Sequence, residues 1–256
     1  MNIKGLDQLR KHVPDFNSPF GVLRILFLPI LLIFLVTALL SSAHFASAVW
    51  MLVAENTIGC LGFLLLYAFV RCKDNFKAHF GALAYGKAAS LLGYPGVAII
   101  SAVVARIRSI PGPEIPSFGW HIVLPILGWA LIAVGLLLSL RAVLTFGLDY
   151  LVMLYVYFPE ESHIVDHKIY KVLRHPAYSG AQFIAFGLAL LNGNWFALAC
   201  AVFFALGLWA WVHLVEEKEL IERFGSSYLD YRRRVPAFWP RLHDLKEFFE
   251  FLIFGR

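Results

Sequence analysis

The chain has 256 residues, of which 60% are hydrophobic and only 15% charged, against a charged share of about 25% in soluble domains. That balance excludes a soluble globular enzyme and predicts an integral membrane protein. The formal net charge of +5 comes from basic residues lying between apolar runs, which reads as membrane topology, with no nucleic acid as partner.

Cys60, Cys72 and Cys200 are scattered and form no CxxC, so neither a disulfide framework nor a Cys-built metal site is expected. The N-terminus lacks the short apolar core and cleavage site of a signal peptide, so the first span is expected to stay in the mature protein. Residues 1–20, with Lys4, Arg10, Lys11 and two prolines, read either as an interfacial segment on the cytoplasmic face or as a disordered tail. Val22 to Leu40 is long and apolar enough to cross a bilayer, with Arg24 snorkelling from its end. Ala48 to Val70 is a second span, and Arg71, Lys73 and Lys77 place its end in the cytoplasm. Glu55 and Asn56 lie inside it, so they mark either a functional site or a hydrogen bond between helices.

Gly81 to Ala105 is apolar but interrupted by glycines and Pro95, which predicts a close-packed or broken span. Ser109 to Ser117 is a proline-rich loop, and Trp120 opens an interfacial belt before a span running to about Leu140. Gly128 and Gly135 share a face of that span and predict a closely packed neighbour. Arg141 to Arg174 is polar and is assigned to the cytoplasm. The runs Ala177 to Leu191 and Trp195 to Val215, joined by Asn192-Gly193-Asn194, read as a helical hairpin. The tail beyond Phe238 alternates acidic and aromatic residues and is expected to lie along lipid headgroups. The predicted fold is all-α and polytopic with roughly six spans, both termini cytoplasmic, and a cytosol-facing pocket formed by the C-terminal half.

Two clusters could carry chemistry, one at each end of the hairpin, which returns both to the same side of the membrane. Pro176 suits the first turn of a helix, putting His175 and Tyr178 on one face and Arg174 with His175 at an N-terminus that favours anions. At the other end His213 shares a helical face with Glu216 or Glu217, whose carboxylates suit a cationic or hydroxyl-bearing group. The ends together suit a zwitterionic ligand. His-x-x-Glu-Glu is no established zinc signature, so no metal is expected. Glu219, Glu222 and Arg223 read as a solvated face with i,i+4 pairs, and Arg232 to Arg234 as contacts for lipid headgroups. Phe224, Tyr228 and Tyr231 read as packing and belt residues.

The run Arg174-His175-Pro176-Ala177-Tyr178-Ser179-Gly180, followed by Glu216-Glu217, Phe224-Gly225-x-x-Tyr228-x-x-Tyr231 and Val235-Pro236, resembles the isoprenylcysteine carboxyl methyltransferase and phospholipid methyltransferase superfamily. The resemblance covers residues 125–240 and implies a membrane enzyme that binds S-adenosylmethionine and takes a lipophilic acceptor from the bilayer. It implies that Ser162, His163, Ile164, Val165, Tyr170, Arg174, His175, Pro176, Ala177, Tyr178 and Glu216 line the cofactor pocket. His213 and Glu217 are the candidate catalytic bases. Residues 1–124 are then helices that set acceptor selectivity, and residues 241–256 an interfacial tail.

The chain departs from the family at two places. Lys168 stands where a glycine usually precedes the tyrosine by two, and Val212 stands where the prenylcysteine enzymes have an arginine one turn before the glutamate. The acceptor is therefore open between a prenylcysteine carboxylate, a phospholipid amine and similar groups. Two other readings are a membrane sterol-type reductase using a reduced nicotinamide cofactor, and a non-catalytic scaffold retaining the fold. The sequence Val215-Glu216-Glu217 favours the methyltransferase over the reductase.

Overall fold

The computed structural model describes residues 4–43, 46–116 and 122–255. Trp120 and its expected belt lie outside the described residues. All the described regular structure is helical. In chain order α1 (Leu6–His12) precedes two long helices, α2 (Pro19–Ser42) and α3 (Ala48–Arg71). Short α4 (Lys73–Phe80) and α5 (Ala84–Ala88) then lead through a π-helical turn, Ala89–Gly93, into α6 (Tyr94–Arg106). The expectation of a broken third span is met by that turn.

Next come α7 (Val123–Phe146), α8 (Leu148–Leu151), α9 (Ile169–Val172) and the hairpin of α10 (Pro176–Asn192) and α11 (Trp195–Trp211). A second π turn, Val212–Glu216, passes into α12 (Glu217–Phe224), followed by α13 (Ser226–Arg234) and α14 (Leu245–Phe254). Among the described residues five helical stretches are long and apolar enough to cross a membrane, and the 17-residue α10 accompanies them. The helix α7 runs past the expected end at Leu140. Arg141 does not open a polar loop: it donates to the Leu252 and Ile253 carbonyls and pins α14 against α7.

Lipid is as apolar as the side chains facing it, so helices in a bilayer are held by close van der Waals approach and by polar contacts. Both devices are present. The glycine face of α7 meets a matching face of α10. A Cβ at Gly180 would lie 2.6 Å from the Gly135 carbonyl oxygen, and one at Gly187 the same distance from that of Gly128. Gly62 of α3 and Gly96 of α6 repeat the device, each placed so that a Cβ would come 2.9 Å from the other's carbonyl oxygen. Gly193 takes a positive φ of 78° in the hairpin turn. The flanking Asn192 and Asn194 donate to the carbonyls of Ile107 and Ile110, so the turn is locked to the end of α6.

Glu55 is fully buried and paired with Arg106, 51 residues away. Arg106 also donates to Ser41 Oγ, so α2, α3 and α6 meet at one charge cluster. Asn56 donates to Leu52 O and Cys200 Sγ, linking α3 to α11. Of the two sequence readings of Glu55 and Asn56, the structure supplies the interhelical one. Removing one member of a buried pair strands the other and costs about 3–5 kcal/mol. Arg106→Met should therefore lower stability in detergent by about that amount, while Glu55→Gln with Arg106→Met should recover most of it. Thermal melts of the three proteins check this, and an Arg106→Met midpoint equal to wild type would contradict it.

Candidate functional site

The hairpin brings its two polar clusters back to one end of the bundle, and the segment after α13 ties them together. Arg174 N donates to Pro236 O at 2.9 Å, His175 N to Ala237 O at 3.1 Å, and Ser179 Oγ to Phe238 O at 2.8 Å. Val235-Pro236 thus belongs to the site as a strap along the entry to α10. Pro176 occupies the first turn of α10, where a missing N–H costs nothing, and His175 is its N-cap. The N–H groups of Ala177 and Tyr178 have no intrahelical acceptor at this position.

The Glu217 carboxylate is almost wholly buried beneath this junction. Its Oε1 accepts from Arg174 Nε at 3.0 Å and Nη2 at 2.5 Å, and His175 Nε2 lies 3.4 Å away. Arg232 Nε approaches Oε2 at 3.2 Å as an ion-pair contact, though that oxygen accepts no hydrogen bond among the described residues. Arg174 spends its remaining nitrogen on the carbonyls of Arg232 and Val235. Beside it, Glu216 Oε2 accepts from Tyr178 Oη at 2.7 Å and from Trp211 Nε1 at 3.0 Å, while Oε1 faces His175 Nδ1 at 3.4 Å. Burial disfavours a charged imidazole, but the two carboxylates outweigh it and raise the His175 pKa above its usual value. His175 thus sits between Glu216 and Glu217, which favour its protonated form.

In front of this cluster lies a partly open cavity whose empty space, its open mouth included, is about 1110 Å³. Its wall includes His163, Ile164, Val165, Tyr170, Arg174, His175, Ala177, Tyr178 and Glu216 from the sequence-derived set. Ser162 and Pro176 are not on the wall. The Ser162 hydroxyl closes a local turn on Pro159 O, and Pro176 shapes the start of α10. Glu217 lies behind the wall, on Arg174.

His213 does not reach the cavity either. It stacks on Trp209 with ring centroids 4.8 Å apart and meets Trp209 O at 2.9 Å through Nδ1. The physical reason is the π turn Val212–Glu216, whose wider i→i+5 hydrogen bonding shifts the register that an uninterrupted α-helix would give His213 and Glu216.

Sequence reasoning missed much of the opposite wall. Tyr150 comes from α8 and accepts at its hydroxyl from His163 N at 2.8 Å, fixing the 162–165 segment. Tyr231 donates to Tyr170 O at 2.7 Å and Tyr228 lines the cavity with a buried hydroxyl that has no partner among the described residues, so both pack as expected but at the cavity rather than in a belt. Glu219 and Arg223 form the expected i,i+4 pair, but buried at the cavity wall rather than on a solvated face. Arg232 turns inward to Glu217, while Arg233 and Arg234 remain exposed.

The bundle and its site define an integral, multi-pass membrane protein with a partly open cavity at the polar end of the hairpin. Residues 123–227, which contain that hairpin and most of the cavity wall, match the family model of phospholipid methyltransferases. The chain is also 28% identical over 158 residues to the mouse protein-S-isoprenylcysteine O-methyltransferase, covering 60% of this chain and 54% of that one. Against protein-S-isoprenylcysteine O-methyltransferase B of Arabidopsis thaliana it is 28% identical over 116 residues, 44% of this chain and 57% of the relative. Against the Schizosaccharomyces pombe protein-S-isoprenylcysteine O-methyltransferase it is 36% identical over 80 residues, 30% and 33% of the two chains. The matches span about half the length of the mouse relative and a third of the yeast one. No solved structure matches. These findings place the matched region in the phospholipid and isoprenylcysteine methyltransferase superfamily.

Lys168, the departure from the family's glycine, keeps the glycine-type turn. Its φ and ψ are 54° and −133°, and the same conformation is occupied elsewhere by Gly225 at 59° and −132° and by Gly81 at 52° and −122°. A side chain there carries strain of order 1–3 kcal/mol. Lys168→Gly should therefore raise the melting temperature in detergent without weakening ligand binding. A lowered melting temperature would show that the lysine side chain contributes more than the turn costs.

Proposed function

We propose that the protein is an integral membrane methyltransferase that takes its methyl group from S-adenosylmethionine and delivers it to a lipophilic acceptor drawn from the bilayer. The observation that carries this reading is the closure of Glu216, His175 and Tyr178 over one side of a largely apolar cavity within the family-matched region.

The residues present fit the donor. Phe146 and Tyr170 stack with centroids 4.7 Å apart and offer a flat wall to a purine. The free N–H groups of Ala177 and Tyr178 suit its carboxylate, and Glu216 suits its ammonium or a ribose hydroxyl. Tyr228 contributes a buried hydroxyl that has no partner among the described residues. When bound, S-adenosylmethionine supplies a methyl group on a sulfonium, open to in-line displacement by the acceptor's nucleophilic atom. The chain's own contribution is to align the two molecules and keep water out, for which no covalent nucleophile is needed. Glu217 is assigned to holding Arg174 and the strap rather than to proton transfer, since its liganded oxygen faces Arg174 and His175.

On this reading the polar end of the hairpin faces the cytosol, where the donor is available, and residues 1–124 shape the access of the acceptor. Calorimetric titration of the purified protein in detergent should detect S-adenosylhomocysteine binding and no binding of reduced nicotinamide dinucleotide phosphate. Glu216→Gln should weaken the former at least tenfold. A labelled-methyl screen over membrane lipids and prenylated thiols would then identify the acceptor. Binding of the nicotinamide nucleotide alone would overturn the proposal.

A further inference from the structure

The segment after α7, residues 147–161, supplies Tyr150, Met153, Tyr155 and Val156 to the cavity wall, yet it has little to hold its own shape. It consists of the four-residue α8 and two three-residue 3-10 turns, Leu154–Val156 and Pro159–Glu161, and helices so short are not stable by themselves. Met153 also takes a left-handed φ of 54°, a strained conformation for a residue with a side chain. Two hydroxyls fix the middle of the segment. Tyr85 Oη donates to Val152 O at 3.0 Å, and Tyr157 Oη to Phe69 O at 3.1 Å.

Both ends are held by residues 4–13, none of which lines the cavity. At the α7 end Lys4 Nζ donates to Thr145 O, and Lys4 O accepts from Leu148 N at 3.0 Å, which caps α7 beside Phe146. Gly5, at a φ of 84°, lies so close that a Cβ there would stand 1.9 Å from Asp149 Oδ1, and Asp149 in turn accepts from the Tyr155 hydroxyl. At the far end Glu161 accepts from Lys11 Nζ at 2.5 Å through Oε1 and meets His12 Nε2 at 2.9 Å through Oε2. Those bonds, first from Lys11 and then from His12, hold the Glu161 carboxyl below its usual pKa. His12 also stacks on Phe158 with ring centroids 3.7 Å apart, and Leu9 and Val13 are buried in the same core as Leu154 and Val156.

We propose that residues 4–13 form an N-terminal clasp that sets the ligand affinity of the cavity by fixing the 147–161 wall, with Gly5, Lys11, His12 and Glu161 as positioning residues. The clasp rests on its own geometry, and only the choice of ligand in its test rests on the methyltransferase reading. Residues 4–13 lie outside the family-matched 123–227, so the clasp ties a separate part of the chain to that site. Coupling of this kind is reciprocal. A clasp that tightens ligand binding must itself be tightened by the ligand.

Amide hydrogen exchange and calorimetry with S-adenosylhomocysteine, both on the full chain in detergent, test this together. Gly5→Ala and Glu161→Gln should speed exchange across 147–161, leave α10 and α11 protected, and weaken the ligand about fivefold or more. Lys11→Gln should act in the same direction, and Lys11→Arg, which keeps the cation, should restore the affinity. In wild type the ligand should slow exchange in α1, although α1 lines no part of the cavity. A clasp that is only a structural prop gives faster exchange in the variants with wild-type affinity and no ligand effect on α1, and that result overturns the proposal. So does unchanged exchange across 147–161 in Gly5→Ala and Glu161→Gln. Absence of S-adenosylhomocysteine binding by wild type refutes the methyltransferase reading instead, and the clasp then stands or falls on the exchange across 147–161.

Discussion

The buried pair of Arg174 and Glu217 is the interaction on which the site depends. Two charges removed from water are costly unless each is met by well-placed partners, and here every partner comes from a different part of the hairpin and its tail. Glu217 stands at the start of α12, Arg174 before α10, and the carbonyls that complete Arg174 belong to Arg232 and Val235. Satisfying the two ions therefore requires the entry to α10, the exit of α11 and the strap at 235–238 to converge. Once they do, His175 is left between Glu216 and Glu217, and Glu216 is aimed by Tyr178 and Trp211 toward the cavity.

The rest of the fold brings these pieces to one place. Facing glycines let α7 approach α10 to backbone contact, and the Asn-Gly-Asn turn is moored to the end of α6. At the polar end, α1 packs Leu9 and Val13 into the same core as Leu154 and Val156, while His12 and Lys11 pair with Glu161. The 147–161 segment, which gives the cavity Tyr150 and Tyr155, is thereby held from the N-terminal side. The described part of residues 1–20 is helical and packed, so the disordered-tail reading does not hold for it.

Local patterns carried most of the architecture. The hairpin, the Pro176 start and the glycine face of α7 are properties of contiguous sequence, and each is found where the spacing put it, whereas α7 extends past its expected end at Leu140. Long-range pairing was not legible, because nothing local distinguishes Arg106 as the partner of Glu55 or Arg232 as a contact of Glu217. The same holds for the site. Arg174 to Tyr178 and Glu216 are contiguous motif residues and reach the cavity. His213 shares their neighbourhood in sequence but is turned away by a π turn that helical periodicity does not anticipate. Glu219 and Arg223 have the spacing of an ordinary surface pair, and only the placement of α12 beside α13 at the cavity puts them on the wall.

We propose that the Arg174–Glu217 pair builds the pocket for the methyl donor, and a double-mutant cycle on S-adenosylhomocysteine affinity tests this. Arg174→Met and Glu217→Met should each weaken binding tenfold or more, and the double variant should be no worse than the weaker-binding single one, because either change already releases the same clamp. Losses that simply add, or wild-type affinity in either single variant, would contradict the account.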